Sequence, residues 1–183
     1  MGIVRKHVAP VTDARRLLEP GPIILVSSAW KGQTNVMTMG WHMMLGFDRI
    51  GFYVWEENHS FEMIRRSKQC VINVPTLAMI DAVVDIGNCS GRDVDKFERF
   101  GLTAAKASTV DAPLIADCHA NFECELADGR QVGKHGLFIW DVVKTHVAVS
   151  PKNPRTVHYR GDGQFMVSGR EISRRGRFMP GML

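Results

Sequence analysis

No stretch of this sequence approaches the ~20 consecutive apolar residues that a membrane-spanning helix needs. The opening residues, Met-Gly-Ile-Val-Arg-Lys-His, lack the apolar run of a signal peptide. Gly2 would suit N-terminal acylation, but Lys6 stands where that motif requires Ser or Thr. Cysteine is scarce: Cys70, Cys89, Cys118 and Cys124 form no C-x-x-C pair and no zinc-ligand spacing, so a disulfide scaffold and a zinc ribbon are both excluded. The histidines are spread singly, with no His-x-x-x-His and no His/Cys cluster, and no metal is expected. There is no G-x-S-x-G, no phosphate loop, no G-x-G-x-x-G, no internal repeat and no low-complexity segment. Reduced thiols and the missing apolar runs make the cytoplasm the expected compartment, with no membrane partner.

Charge is not extreme either. The net charge is +4 and the basic residues are scattered; only residues 170–177 form a dense cluster, so nucleic acid is not an expected partner. What remains is an ordinary globular composition, 45% hydrophobic and 23% charged, in a chain of 183 residues. That length suits one domain over residues 1–183 that buries a full core without staples. Residues 1–21 read as an N-terminal arm with a short helical turn near 11–18, closed by Glu19-Pro20-Gly21-Pro22. Residues 171–183, basic and ending in Pro-Gly-Met-Leu, read as a frayed tail or an arm on a partner.

The stretch from 22 to 75 organises the rest. An apolar run at 23–26, a turn at Gly32 and a period-two alternation through 35–41 predict two strands; 50–55 and 69–74 predict two more. Both faces of 35–41 are mixed, which suits a strand with core on one side and a ligand or partner on the other. Between them, Ser60 is placed to cap a helix over 61–67, with Glu62 in its first turn. Thr76 is placed to start a second helix and 93–100 a third, ended by Gly101. In 119–126, Ala120, Phe122, Cys124 and Leu126 read as inward, and Asn121, Glu123 and Glu125 as outward. A long strand from 137 and a hairpin over 157–167 complete a mainly β, antiparallel barrel with short helical insertions.

Three constellations could carry chemistry. Asn35-Val36-Met37-Thr38 with Trp41 offers short polar side chains and strand backbone that suit the edge of a flat heteroaromatic ring; a half-buried strand satisfying its own Asn and Thr explains the same pattern. Asn58-His59-Ser60 offers free N–H groups at a helix start, an anion seat, or simply a cap. In 90–97, Lys96 could meet a phosphate or an electron-rich ring edge, or pair with Asp93 on a solvated helix face.

Taken in order, Asn35-Val36-Met37-Thr38-Met39-Gly40-Trp41, Asn58-His59-Ser60, Val71-Ile72-Asn73-Val74-Pro75, Ser90-Gly91 to Asp95-Lys96-Phe97 and His135-Gly136-Leu137-Phe138 make the sequence resemble the flavin reductase-like family, within it the flavoredoxin type. The resemblance implies a split β-barrel holding FMN non-covalently near the interface of a homodimer. It implies Asn35, Val36, Met37, Thr38 and Trp41 at the isoalloxazine and ribityl chain, His59 and Ser60 by the phosphate, Lys96 near the flavin and Phe165 flanking the ring. NADH or NADPH would donate hydride, and a small molecule or redox protein would accept electrons. No side chain stands out as a catalytic acid or base. The alternatives are a flavoprotein without enzymatic turnover, serving as electron carrier or flavin store, and a barrel with no flavin that uses its basic tail.

Overall fold

The computed structural model describes residues 2–182, so the terminal Leu183 of the tail lies outside the described residues. The architecture is mainly β, an antiparallel split barrel with short helices. Strand β1 (Lys6–Ala9) precedes helix α1 (Ala14–Leu18). Strands β2 (Ile24–Trp30) and β3 (Gln33–Met39) follow as a hairpin, turning on Lys31 and Gly32, both with left-handed φ. Two such residues match the twist of a two-residue hairpin. Then come β4 (His42–Met44), β5 (Arg49–Tyr53), helix α2 (His59–Ser67) and β6 (Gln69–Val74). Helices α3 (Ile80–Gly87) and α4 (Lys96–Arg99) and the short strands β7 (Ala104–Ala105) and β8 (Leu114–Ile115) lead to β9 (Ala120–Asp128). Helix α5 (Val132–His135), the long β10 (Leu137–Ala148) and the hairpin β11 (Val157–Gly161) and β12 (Gln164–Val167) complete the chain.

The main sheet runs β3-β2-β6-β9-β10-β5-β4, with β1 added to β10 through pairs such as Lys6 with Ala148. The predicted arm is therefore partly a strand, stitched to the sheet, and Ala14 and Leu18 of α1 are buried under it. The main core lies inside the barrel, where Phe52, Phe138 and Trp140 pack with centroids 5.4–6.3 Å apart. Fully burying such a ring is worth roughly 1.5–3 kcal/mol. A second core joins α3 and α4 to the outer face of β2 and the β11–β12 hairpin, and it includes Leu25, Val36, Val83 and Phe97. Among the described residues no helix is long and apolar enough to cross a membrane.

Two local expectations fail. Asn58, not Ser60, is the N-cap of α2, because the helix begins two residues earlier than its polar pattern suggests; Ser60 is buried in its first turn. Asn121 and Glu123 point away from the barrel core but are fully buried, since residues 104–118 fold back over that face of β9. Asn121 donates to Asn73 Oδ1 (2.7 Å) and to the Ile115 carbonyl (2.9 Å). Glu123 accepts from the Ser108 and Thr109 backbone and hydroxyls, and lies 2.7 Å from His146 Nε2.

Burial alone would raise the Glu123 pKa, but these hydrogen bonds outweigh it and hold the carboxyl at about 2. An unfolded Glu titrates near 4.5, so the folded state is favoured wherever this group is ionised, by about 3 kcal/mol. That stability is present above the unfolded pKa and is lost as pH falls toward the folded one. Equilibrium unfolding of Glu123→Gln should therefore show a loss of about 3 kcal/mol at neutral pH that shrinks as pH falls from about 4.5 to about 2. A pH-independent difference would contradict the anchor.

Candidate functional site

Three segments meet beside the edge strand β3. The strand contributes Asn35, Met37 and Thr38. The start of α2 contributes Asn58, His59 and Ser60, and the turn after α3 contributes residues 87–92, with Lys96 beneath them. They enclose a cleft of about 310 Å³. It opens at His59, Gly91 and Arg92 into an outer depression of about 590 Å³, bordered by Gly32, Gln33 and Thr34 and by residues 93–95.

The wall is fixed by hydrogen bonds. Asn35 is 3% exposed, and its Nδ2 donates to Ser60 Oγ at 2.8 Å. Its Oδ1 is buried without a partner among the described residues. A buried amide oxygen left unpaired costs about 1–3 kcal/mol; Asn121 Oδ1 and five other buried side-chain atoms are likewise without a partner among the described residues, and Asn35 Oδ1 is the one of them whose residue lines the cleft. Gly91 passes directly over the same amide: a Cβ there would lie 2.6 Å from Asn35 Cγ and 3.0 Å from His59 Cδ2. Only a residue without a side chain allows this approach. Thr38 Oγ1 donates to the Val83 carbonyl at 2.6 Å, tying β3 to α3.

Lys96 and Arg92 bring positive charge to the cleft, with Glu57 at its edge and Asp93 and Asp95 bordering the outer depression. Lys96 is 5% exposed and its Nζ donates to the Ile86 carbonyl at 2.8 Å; it does not pair with Asp93 on a solvated face. Burial pulls its pKa down, and the Cys89 thiol opposes that. Asp95, instead of forming a side-chain pair, caps α4 through the N–H groups of Phe97 and Glu98. Arg92 is steadied by its Nη1 bond to the Glu57 carbonyl at 3.2 Å. Among the described residues no ion pair engages Lys96 or Arg92. Burial, then Arg92 and Lys96, depress the His59 pKa against a smaller opposite pull from Asp93, so the imidazole is neutral at pH 7. The first turn of α2 adds the positive end of its dipole and backbone N–H groups with no intrahelical partner. The cleft can therefore seat an anion, and beside it hydrogen-bond a flat polar group through Asn35, Thr38 and the β3 backbone.

Of the residues expected at the site, Asn35, Met37, Thr38, His59, Ser60 and Lys96 line this cleft. Val36 sends its side chain into the second core, fully buried, and does not line the cleft. Trp41 is absent from it: β3 ends at Met39, and Trp41 lies 73% exposed, against Tyr53 at 5.4 Å. Phe165 is absent too, packed on Tyr159 at 5.1 Å beside the second core. Arg92 and Cys89 were missed. Arg92 had a signal, a cation one residue beyond the Ser90-Gly91 turn; Cys89 had none beyond its place in that turn.

Known proteins resemble this one over nearly its whole length. The model of the flavin reductase like domain matches residues 15–165. A crystal structure from Shewanella baltica, described as an FMN-binding domain of a flavin reductases-like enzyme, superposes with TM-score 0.86 at 26% identity, covering 94% of this chain and 99% of that one. The flavoredoxin of Desulfovibrio vulgaris (Miyazaki F) superposes with TM-score 0.78 at 20% identity, over 88% and 92% of the two chains, and shares the fold. A 53-residue stretch is 40% identical to the FMN reductase (NADH) RutF of Bradyrhizobium diazoefficiens, covering 29% of each chain.

Proposed function

The chain belongs to the flavin reductase-like family, and on that premise we propose that its cleft binds FMN non-covalently and that it is an oxidoreductase taking hydride from NADH or NADPH to reduce flavin or pass electrons onward to a small molecule or redox protein. The observation that carries the reading is the unpartnered, buried Asn35 Oδ1 beside a cationic anion seat. A ring bearing an N–H, linked to a phosphate, meets both needs at once.

In this reading His59, Ser60 and Arg92 hold the phosphate at the start of α2. Asn35, Met37, Thr38 and the backbone at Val36 orient the ring. When bound, the flavin supplies the hydride-accepting chemistry. Lys96 holds a desolvated positive charge in the floor of the cleft, where it favours a ligand that gains negative charge on reduction. His59, neutral at pH 7, orients and does not repel a cationic neighbour. Gly91 lets the chain pass close beside Asn35 and His59, where any side chain would clash. Four free thiols suit a reducing compartment such as the cytoplasm.

A homodimer with the flavin near its interface completes the proposal. Trp41, Met43, Phe47 and Trp55 are each more than half exposed, and Leu45 nearly so; they form an apolar ribbon along the edge strand β4 and its flanks. Exposed ribbons of this kind mark interaction surfaces, and an edge strand invites pairing. Trp41 and Phe165 lie outside the cleft of their own chain, so a part for either at the flavin requires a second copy.

The purified protein, supplied with FMN, should show flavin absorption that bleaches anaerobically with NADH or NADPH. Bleaching with dithionite alone would favour the carrier reading, and failure to take up FMN would remove both. For the dimer, Phe47→Glu should shift the sedimenting species from dimer to monomer; a wild-type chain that already sediments as a monomer would contradict it.

A further inference from the structure

We propose that His42 and His158 form an acid-sensitive latch across the open seam of the barrel, holding the edge strand β4 and the β11–β12 hairpin to residues 21–23, and that a proton on His42 drives its ring out and opens the seam. The latch lies outside the cleft and stands on its own geometry; its consequence for subunit pairing rests on the dimer reading.

The path of the main sheet ends at β3 on one side and β4 on the other. The chain passes from one to the other at residues 40 and 41, and a Cβ at Gly40 would lie 3.0 Å from Ile23 Cδ1, so this corner runs tightly against the entry to β2. Two imidazoles fasten that entry. His42, the first residue of β4, donates from Nε2 to the Pro22 carbonyl at 2.7 Å. His158, on β11, donates from Nδ1 to the adjacent Gly21 carbonyl at 3.0 Å. The Ile23 N–H completes the joint on the Val157 carbonyl at 2.8 Å. A carbonyl only accepts, so each ring must present an N–H to it, and both tautomers are fixed when neutral.

The rings differ in what a second proton meets. His158 Nε2 faces the Thr156 hydroxyl at 3.0 Å, which donates to a neutral ring and accepts from a charged one. His42 Nδ1 is buried without a partner among the described residues, so a proton there makes an unpaired N–H and a charge held away from water. Burial pulls the His42 pKa down against the bond to Pro22, which favours the charged ring, and His158 of β11 lowers it further. The cations of α1 and β5 are engaged elsewhere, Arg15 with Glu19, Arg16 with Asp13 and Arg49 with Asp141, and the Tyr53 ring of β5 lies against Trp41. A ring swung out into water titrates at its ordinary value. The closed seam is therefore fully favoured above about pH 6.5 and loses ground as pH falls below it. Strand β4 and its flanks carry the exposed Trp41, Met43 and Leu45, so an open seam displaces the ribbon assigned to a second copy.

The test uses the full chain with isotope-labelled histidine, followed by NMR. His42, assigned through its own backbone, should show the Nε2–H tautomer at neutral pH and titrate below about 6.5. Amide exchange at residues 23–24 and 41–44, corrected for its intrinsic pH dependence, should be at least about tenfold faster at about pH 5 than at about pH 7.5. In His42→Gln, whose side-chain amide donates to Pro22 but takes no proton, the two rates should agree within about twofold. The native dimer should weaken at least about tenfold over the same fall in pH, and the variant's should not. A His42 that titrates at or above its ordinary value, exchange indifferent to pH, or equal acceleration in the variant would overturn the latch. The titration is read on the native chain, so it decides even if the variant fails to fold. A dimer equally tight at both pH values would overturn the consequence for pairing. If the chain is a monomer throughout, the dimer reading fails by itself, and titration and exchange still decide the latch.

Discussion

The hydrogen bond from Asn35 Nδ2 to Ser60 Oγ, 2.8 Å long and fully desolvated, joins the edge strand β3 to the first turn of α2. The cleft depends on it. It sets the helix N-terminus against the strand, and it fixes the amide so that its carbonyl oxygen, not its NH₂, is the atom left over. The bond constrains the third wall as well. Because the amide occupies this place, the chain crossing above it at position 91 has no room for a Cβ. Residues on either side of that glycine, Cys89, Arg92 and Lys96, take their positions from the crossing.

The electrostatics follow from the same enclosure. Lys96 and Arg92 satisfy part of their donor capacity on main-chain carbonyls, which neutralise no charge. Carboxylates are nearby in sequence, but Asp95 is committed to capping α4, and Glu62 to Arg65 and Arg66. The seat therefore stays positive, at a cost that an arriving anion offsets, and the depressed pKa of His59 is one consequence. Such an arrangement is a weak stabiliser of the fold, and an anion seated there would gain charge-assisted hydrogen bonds.

Much of this was legible in the residues. The alternation and β-branched content of 69–74 gave β6 to the residue, and the polar run before 61 gave the start of α2 within two positions. The ordered motifs pointed to the family whose model matches residues 15–165. What stayed hidden was whatever depends on distant chain. Alternation in β9 separates two faces but does not reveal that a loop covers the polar one, so Asn121 and Glu123 read as solvated. The period-two pattern runs on to Trp41 although the ladder stops at Met39, because side-chain type carries no mark of where hydrogen bonding ends. Lys96 was legible as a candidate cation, whereas its burial under residues 86–92 was not.

The central claim is that this cleft recognises a phosphate and a polar ring edge together, and the most direct measurement compares FMN with riboflavin by fluorescence titration. The proposed phosphate contacts at His59, Ser60 and Arg92 predict that FMN binds at least about 30-fold more tightly, a difference of about 2 kcal/mol that charge-assisted bonds commonly supply. The same gap should narrow sharply in Arg92→Ala. Equal affinities for the two flavins in the unaltered chain would contradict the account.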